Sequence, residues 1–274
     1  MSKVVFLSFA NTDFAPSLKR LQEQIKCCPL IDEFFFMTEK DLGADFLKDF
    51  HPSIYRRGYG YWKWKSYLVK RTFDKMNDGD VLIYSDAGCD YNPNAENRLR
   101  EYIDIVRQHV SGVLCFEDPT LERQYTKGDV FTFLTGGNQQ SQITDSNQRW
   151  AGMWLMCKCA NSTNLVDKWW DTCESHFDLI TDKASTSKNF PDFIEARHDQ
   201  SVFSILTKQF GAYALPPEEL AKANFANVPF QPTRNKMKST KTFIYRRISL
   251  PFRWLIGLYL IAVQDFYFRG RYIW

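Results

Sequence analysis

The sequence predicts an α/β fold in which helices cover a mostly parallel sheet. Short runs of β-branched and aromatic residues alternate with segments of helical spacing, which is the pattern of strands alternating with helices. Polar turns follow several of these apolar runs and separate them from the helices. The 274 residues are 44% apolar and 24% charged, which is ordinary for a globular protein that buries a large core.

The elements follow one another in order along the chain. Residues 4–9 form a β-branched and aromatic strand, and Leu18, Leu21 and Ile25 recur at helical spacing in the segment after it. Gly79 ends an aromatic-rich helix just before a third strand. We predict strands at 4–9, 31–37, 81–85, 112–116 and 150–159, and helices at 14–27, 41–50, 61–76, 94–109, 162–176 and 198–210. Ligands bind beyond the carboxyl ends of strands in such sheets, so the turns after the first and third strands are candidate sites.

Composition excludes several classes of protein. The chain is neither collagen-like nor disordered, and no apolar run approaches the ~18 residues that indicate a transmembrane helix. The apolar stretch at the N-terminus is too short for a signal peptide. Seven cysteines are an odd number and include no CxxC pair, so we expect reduced thiols and a cytoplasmic location.

Charge is distributed unevenly. Residues 233–274 carry nine Lys or Arg and one Asp, whereas the rest of the chain has a net charge of −5. We therefore predict a body at 1–232 and a basic, aromatic segment at 233–274 that docks on an anionic membrane surface as a peripheral, in-plane element. The alternatives are a core helix at 254–263 or a nucleic-acid partner. We expect no nucleic-acid partner, because the acidic body offers no supporting groove.

The most specific feature is the segment that runs from Asp80 through an apolar strand to Asp86 and Asp90. Ala87 and Gly88 between the two carboxylates let a ligand approach the backbone closely. Carboxylate oxygens suit Mg²⁺ or Mn²⁺ bridging a diphosphate, so Asp86 and Asp90 are candidate metal ligands. An Asx turn with two solvated carboxylates is the alternative.

A second feature combines glycines, aromatic rings and cations between Gly58 and Lys65. Tyr61 and Trp62 could stack on a base or a sugar, and Lys63 and Lys65 could pair with phosphate. The alternative is a packed aromatic helix with solvated lysines.

Two further polar segments open helices. His198 and Asp199 are candidates for acid–base or metal-binding groups that enter the cleft from the far side, and the alternative is an N-terminal cap at Asp199. The segment from Glu122 to Asp129 also opens a helix. Its ordinary interpretation is a cap by Thr126 with Asp129 in the first turn.

Four segments in this order resemble a family of small bacterial glycosyltransferases of capsule and O-antigen biosynthesis, which is similar to the nucleotide-sugar-dependent GT-A transferases. They are 58–65 (GYGYWKWK), 79–89 (GDVLIYSDAGC), 125–129 (YTKGD) and 198–201 (HDQS). The resemblance covers about residues 3–215. Asp86 matches the first carboxylate of the DxD motif, but Gly88 stands at the second. Either Asp90 is the substitute ligand or the site has fewer protein ligands.

The resemblance implies a GT-A-like α/β/α sandwich that binds a nucleoside-diphosphate sugar, with UDP as the expected nucleotide. Asp86 would hold the diphosphate through Mn²⁺ or Mg²⁺, with Asp90 and His198 as further ligands. The acceptor would be a glycan or a lipid-linked saccharide at the inner face of the cell membrane. The implied donor site comprises Ala10, Asn11, Thr12, Tyr61, Trp62, Lys63, Lys65, Ser85, Asp86, Ala87 and Gly88.

The resemblance also implies catalytic groups. Asp199 and Gln200 resemble the Asp-Gln pair of glycogenin-like retaining transferases, in which Asp199 would orient the donor sugar. An inverting enzyme would instead use Asp199 or Asp129 as a base for the acceptor hydroxyl. Two other functions remain open at this point: a metal-dependent phosphohydrolase or nucleotidyltransferase, and a catalytically inactive membrane-docked scaffold.

Overall fold

A computed structural model of the protein describes residues 2–55, 57–137 and 140–234. Apart from Thr233 and Arg234, the predicted basic and aromatic segment at 233–274 lies outside the described residues. No helix within the described ranges combines the length and the apolar character needed to cross a membrane.

The strands form one large sheet and one small one. The large sheet has the order β2-β1-β3-β7-β5-β6, with β8 paired to β5, and the small sheet pairs β4 with β9. The described strands are β1 (Val4–Phe9), β2 (Glu33–Met37), β3 (Val81–Ser85), β4 (Asp90–Tyr91), β5 (Val113–Leu121), β6 (Asn147–Arg149), β7 (Met153–Cys157), β8 (Tyr213–Leu215) and β9 (Phe230–Gln231).

Most strands of the large sheet point in the same direction. β1 is parallel to β2 and β3, and β8 is parallel to β5. β7 runs antiparallel to both β3 and β5, so β5 shares the direction of β3, while β6 opposes it. The prediction of a mostly parallel sheet is therefore confirmed.

Every predicted helix has a counterpart in the structure, including α7 after the segment from Glu122 to Asp129, and the described residues add three short helices. The helices are α1 (Ala15–Ile25), α2 (Ala44–Leu47), α3 (Gly58–Tyr61), α4 (Lys63–Lys75), α5 (Glu96–Gln108), α6 (Glu122–Tyr125), α7 (Gly128–Thr135), α8 (Ser141–Thr144), α9 (Ala160–Ser175) and α10 (Asp199–Gln209).

The strands bury both of their faces. Side chains alternate between the two sides of a strand, so Val5 and Leu82 pack with α4, α7, α9 and α10, whereas Phe6 and Ile83 pack with α1 and α5. A sheet with helices on both faces is an α/β/α sandwich, as predicted. All seven cysteines are free, in agreement with the expectation of reduced thiols.

We predict that Trp154→Ala will destabilise the fold by about 3–5 kcal/mol, because it leaves a cavity in the core. Trp154 on β7 is fully buried, stacks on Tyr84 at 5.2 Å between ring centroids and contacts Trp169 and Phe203. Urea unfolding followed by circular dichroism gives the free energy. Phe133→Ala is the control, because that ring is 45% exposed and its loss should cost less than about 1 kcal/mol. Equal losses for the two variants would contradict this description of the core.

Candidate functional site

A cleft of about 1420 Å³ opens at the carboxyl ends of β1 and β3. This is the place that the sequence indicates, since Asn11 follows β1 and Asp86 follows β3. The cleft brings together part of the predicted donor site, namely Ala10, Asn11, Trp62, Asp86, Ala87 and Gly88.

Contacts with α1 and with the end of β1 hold the backbone of the turn after β3. Ala87 packs against Ala10 and Leu18, and Nη2 of Arg20 donates hydrogen bonds to the carbonyl oxygens of Ala87 at 2.9 Å and Cys89 at 2.7 Å. These contacts fix the backbone on the side of α1. The other side of the turn faces the cleft.

Lys65 links two carboxylates at the base of the site. Its Nζ lies 3.4 Å from Oδ1 of Asp86 and 3.2 Å from Oδ2 of Asp199, and it donates a hydrogen bond to the Ala151 carbonyl at 3.1 Å. The hydroxyl of Tyr84 donates to the same Asp86 oxygen at 2.7 Å. Asp86 is thus held by a buried cation and a buried phenol while its side chain stays 35% exposed at the cleft.

Burial shifts the pKa values of Asp199 and Lys65. Burial raises the pKa of Asp199 to about 6; the charge on Asp86 also raises this pKa, and Lys65 lowers it. Burial lowers the pKa of Lys65, but the two carboxylates outweigh burial and hold that pKa above its usual value. Lys65 therefore stays an ammonium at neutral pH, whereas Asp199 titrates near pH 6.

The backbone before α4 is a left-handed turn. Tyr59, Tyr61 and Trp62 have φ values of 49°, 53° and 59°, a region that costs about 1–3 kcal/mol for each non-glycine residue. The indole of Trp62 folds back so far that a Cβ on Gly58 would lie 2.3 Å from it, and Nε1 of Trp64 donates to the Gly58 carbonyl at 3.0 Å. Gly58 is therefore required for close approach, and the turn places Trp62 in the cleft wall.

His198 supports this turn and does not join Asp86. It is buried, its Nδ1 lies 2.8 Å from the Ile180 carbonyl oxygen, and its ring stacks on Trp62 at 5.5 Å and contacts Tyr61 at 5.2 Å. Burial lowers the pKa of His198. The structure thus places the imidazole of His198, a predicted metal ligand, in packing contact with the aromatic turn.

Asp90, predicted to bind a metal together with Asp86, does not line the cleft. Oδ1 of Asp90 lies 3.0 Å from Nε of Arg20 and accepts a hydrogen bond from Nε2 of Gln24 at 3.0 Å. Asp90 belongs to β4, whose pairing with β9 turns it toward α1.

Asp129 and Lys63, also predicted as site residues, do not line the cleft either. Asp129 accepts hydrogen bonds from the backbone N–H groups of Thr186 and Ser187; burial raises its pKa, but these donors outweigh it and hold the pKa well below its usual value. Nζ of Lys63 lies 2.5 Å from Oε2 of Glu174. The structure gives Asp129 a loop-capping position and Lys63 a packing position.

Three other predicted donor residues also lie outside the cleft wall. Thr12 is exposed, and its N–H donates to Oε1 of Glu39 at 2.9 Å. The hydroxyl of Tyr61 donates to Oδ2 of Asp182 at 2.9 Å. Ser85 is fully buried in β3. None of these three side chains lines the cleft.

A divalent metal fits this site only in part. Among the residues that the structure describes, no three His, Cys, Asp or Glu side chains converge as a metal site. Asp86 is the one residue of the predicted ligand set that lines the cleft. Mg²⁺ is commonly held by one or two carboxylates together with substrate phosphates and water, so Asp86 fits a metal that arrives with a diphosphate.

Gln200 belongs to a buried chain of polar groups that sequence reasoning missed. Its Nε2 donates to Oε1 of Gln148 at 2.9 Å, and Nε2 of Gln148 donates to Oε1 of Glu122 at 2.9 Å. Glu122 is fully buried and pairs with Nζ of Lys208 at 2.6 Å. An ionised carboxylate only accepts hydrogen bonds, so Glu122 fixes the orientation of both amides.

Part of the cleft wall was not predicted. Asp118 lies beyond the buried part of β5, and Trp150 lies in the turn between β6 and β7. The position of Asp118 after a predicted strand is a signal that could have revealed it, whereas Trp150 was assigned to the strand itself. The other unpredicted residues include Phe9, Tyr59, Trp64, Arg197 and the segment from Pro217 to Lys222.

Comparison with known proteins gives similarity only at the level of solved structures, since no family model and no curated protein matches. One similar structure is a glycosyltransferase involved in the glycosylation of the major capsid of PBCV-1, with 14% identity, a TM-score of 0.46, and coverage of 84% of this chain and 92% of that chain. The galactosyltransferase LgtC, in complex with donor and acceptor sugar analogs, has 15% identity, a TM-score of 0.41, and coverage of 81% and 77%. Mouse xyloside xylosyltransferase 1 has 14% identity, a TM-score of 0.40, and coverage of 78% and 71%.

We predict that the pKa of Asp199 will respond in opposite directions to two substitutions. Lys65→Met removes the cation that lowers it, so the carboxyl should titrate above 6, whereas Asp86→Asn removes a like charge and should bring it below 6. Carboxyl ¹³C NMR in metal-free buffer measures both values. A midpoint near 4 in the unsubstituted protein would contradict the buried, charge-coupled arrangement.

Proposed function

We propose that the protein is a glycosyltransferase that moves a hexose from a nucleoside-diphosphate donor, with UDP as the nucleotide, to a glycan or lipid-linked acceptor. The observation that carries the proposal is Asp86 at the carboxyl end of β3, facing a large cleft while Lys65 and Tyr84 hold it from below. This arrangement agrees with the order of the four segments that resemble the GT-A transferases.

The donor would lie along the edge of the sheet at which β1 and β3 end. The ends of β1 and β3 are neighbours, so a nucleoside beside Ala10 and Asn11 places its diphosphate at the turn of Asp86 to Gly88. Backbone at Ala87 and Gly88 leaves room for phosphate oxygens, since a Cβ on Gly88 would meet nothing within 4 Å. Trp62 closes the wall on the side of α4.

Sugar transfer breaks the bond between sugar C1 and a phosphate oxygen, and the electron pair stays on the diphosphate. Arg197, Lys222 and Arg234 line the cleft and supply positive charge for that leaving group. A divalent metal bound through Asp86 would add further charge stabilisation. Lys65 neutralises Asp86, so this carboxylate repels the incoming diphosphate less.

The catalytic roles of Asp199 and Gln200 belong to the proposal as well. Asp199 contacts the same ammonium as Asp86, so it is coupled to the donor site through Lys65. Gln200 is held by Gln148 in a fixed orientation. A two-metal phosphohydrolase needs more carboxylates in its cleft than the described residues bring together, which favours the transferase.

The cellular setting rests on the sequence. We propose surface-polysaccharide biosynthesis at the inner face of the cell membrane, with residues 233–274 docking on the anionic lipid surface. Nine Lys or Arg in that segment, interleaved with aromatic residues, support this location. A lipid-linked acceptor would then be held near the cleft.

We predict that UDP will stabilise the full chain against heat and that GDP, CDP and ADP will not. At 100 times its dissociation constant, a ligand adds about 2.7 kcal/mol, which is a shift of roughly 5 °C or more for a chain of this size. Differential scanning fluorimetry with and without Mn²⁺ measures the shift, and Mn²⁺ should enlarge it. The absence of a shift with all four nucleotides would contradict the proposed donor.

We predict that Asp86→Asn will lower turnover at least 100-fold, because it removes the carboxylate through which a divalent metal would hold the diphosphate of the donor. Release of UDP from a UDP-hexose measures turnover. Asp90→Asn is the matched control: it breaks a partly buried ion pair with Arg20, so it should cost about 1–2 kcal/mol of stability and leave turnover within about threefold. If both variants lost turnover equally, the assignment of different roles to Asp86 and Asp90 would be wrong.

A further inference from the structure

The cleft is larger than one ligand needs. Pockets for single small molecules are about 300–1000 Å³, and this cleft is about 1420 Å³. The strand order places four chain segments along its floor in sequence: the end of β1, the end of β3, the start of β7 and the end of β5. Neighbouring strands lie about 4.8 Å apart, so the start of β7 is one step beyond Asp86 on the side away from β1.

Gly152 occupies that next step, and the indole of Trp150 covers it as a flat platform. A Cβ built on Gly152 would lie 2.4–2.8 Å from three atoms of the Trp150 indole, so the ring rests directly on the bare Cα of Gly152. Gly152 is absent from the positive-φ glycines, so close approach of the ring, rather than backbone conformation, requires a glycine here. The backbone N–H of Trp150 donates to the Phe116 carbonyl at 2.8 Å, which fixes the backbone at Trp150.

Polar groups flank the platform on both sides. The N–H of Asp86 donates to the Gly152 carbonyl at 2.8 Å, which ties the platform to the donor site. Asp118 lines the cleft beyond Trp150, and its Oδ1 accepts a hydrogen bond from Thr120 at 2.9 Å. A flat apolar ring between carboxylates matches a pyranose, which has a face of C–H groups and a rim of hydroxyl donors.

The position of the Trp150 ring favours binding of the acceptor sugar there, rather than binding of the nucleobase. The end of β1 has its own aromatic wall, where Phe9 stacks on Trp64 with 4.0 Å between ring centroids and Tyr59 adjoins them. A nucleoside at that wall and a diphosphate at Asp86 direct the donor sugar toward β7. We propose that Trp150, held flat by Gly152, binds a pyranose ring of the acceptor glycan. This inference rests on the proposed transferase function.

The test separates acceptor binding from nucleotide binding. Methyl β-D-galactopyranoside and methyl β-D-glucopyranoside are the probes, observed by saturation-transfer NMR on the full chain with saturating UDP. We expect the ring C–H protons of at least one glycoside to receive saturation. Trp150→Ala and Gly152→Ala should each weaken that binding at least fivefold, while calorimetry should give UDP dissociation constants within twofold of the unsubstituted protein.

The variants control for misfolding and for surface effects. Trp150→Phe keeps part of the flat apolar face and should fall between Trp150→Ala and the unsubstituted protein. Phe133→Ala lies outside the cleft wall and should change neither binding constant. Gly152→Ala keeps the indole and only displaces it, so its loss of binding reports the position of the ring.

Two kinds of result would overturn the inference. If Trp150→Ala weakens UDP binding tenfold and spares the glycoside, the ring stacks on the nucleobase. If the unsubstituted protein binds UDP but neither glycoside, or if Trp150→Ala binds the glycoside as well as the unsubstituted protein does, Trp150 is not an acceptor platform. A chain that binds no nucleotide would instead reject the transferase function, and the acceptor role with it.

Discussion

The ammonium of Lys65, buried between Asp86 and Asp199, is the charge on which the cleft depends. Two carboxylates brought together in a protein interior repel each other and lose their hydration, so they need a cation between them. Lys65 is 2% exposed, and its third partner is the Ala151 carbonyl. One side chain of α4 therefore joins the end of β3, the start of α10 and the loop before β7.

The backbone that delivers Lys65 is strained. The chain enters α4 through Tyr59, Tyr61 and Trp62, all in the left-handed region. Packing offsets the free-energy cost of this backbone, since the Trp62 ring stacks on His198 and packs closely against Gly58, which has no side chain. Strain of this kind concentrates at functional sites, where the surrounding structure holds one conformation.

The sequence allows the central strands, the helices and the turn at Asp86 to be predicted, because each depends on local pattern. Lys63 and Lys65 could not be distinguished, because residues two apart on a helix point about 200° from each other and only packing shows which one faces the site. The position of Asp90 outside the cleft wall could not be predicted, because its pairing with β9 comes from residues about 140 positions later. Gln148 and Trp150 lie outside any motif and reach the site through β6 and β7.

The most direct test of the account is the position of the nucleotide in a crystal structure of the UDP complex. We expect the diphosphate at the turn from Asp86 to Gly88, with uracil beside Ala10 and Asn11. Continuous density for UDP along that edge, with Trp150 left uncovered, is the expected result. Nucleotide bound elsewhere, such as the smaller pocket lined by Lys3, Arg71 and Lys75, would contradict the assignment of the cleft as a donor site.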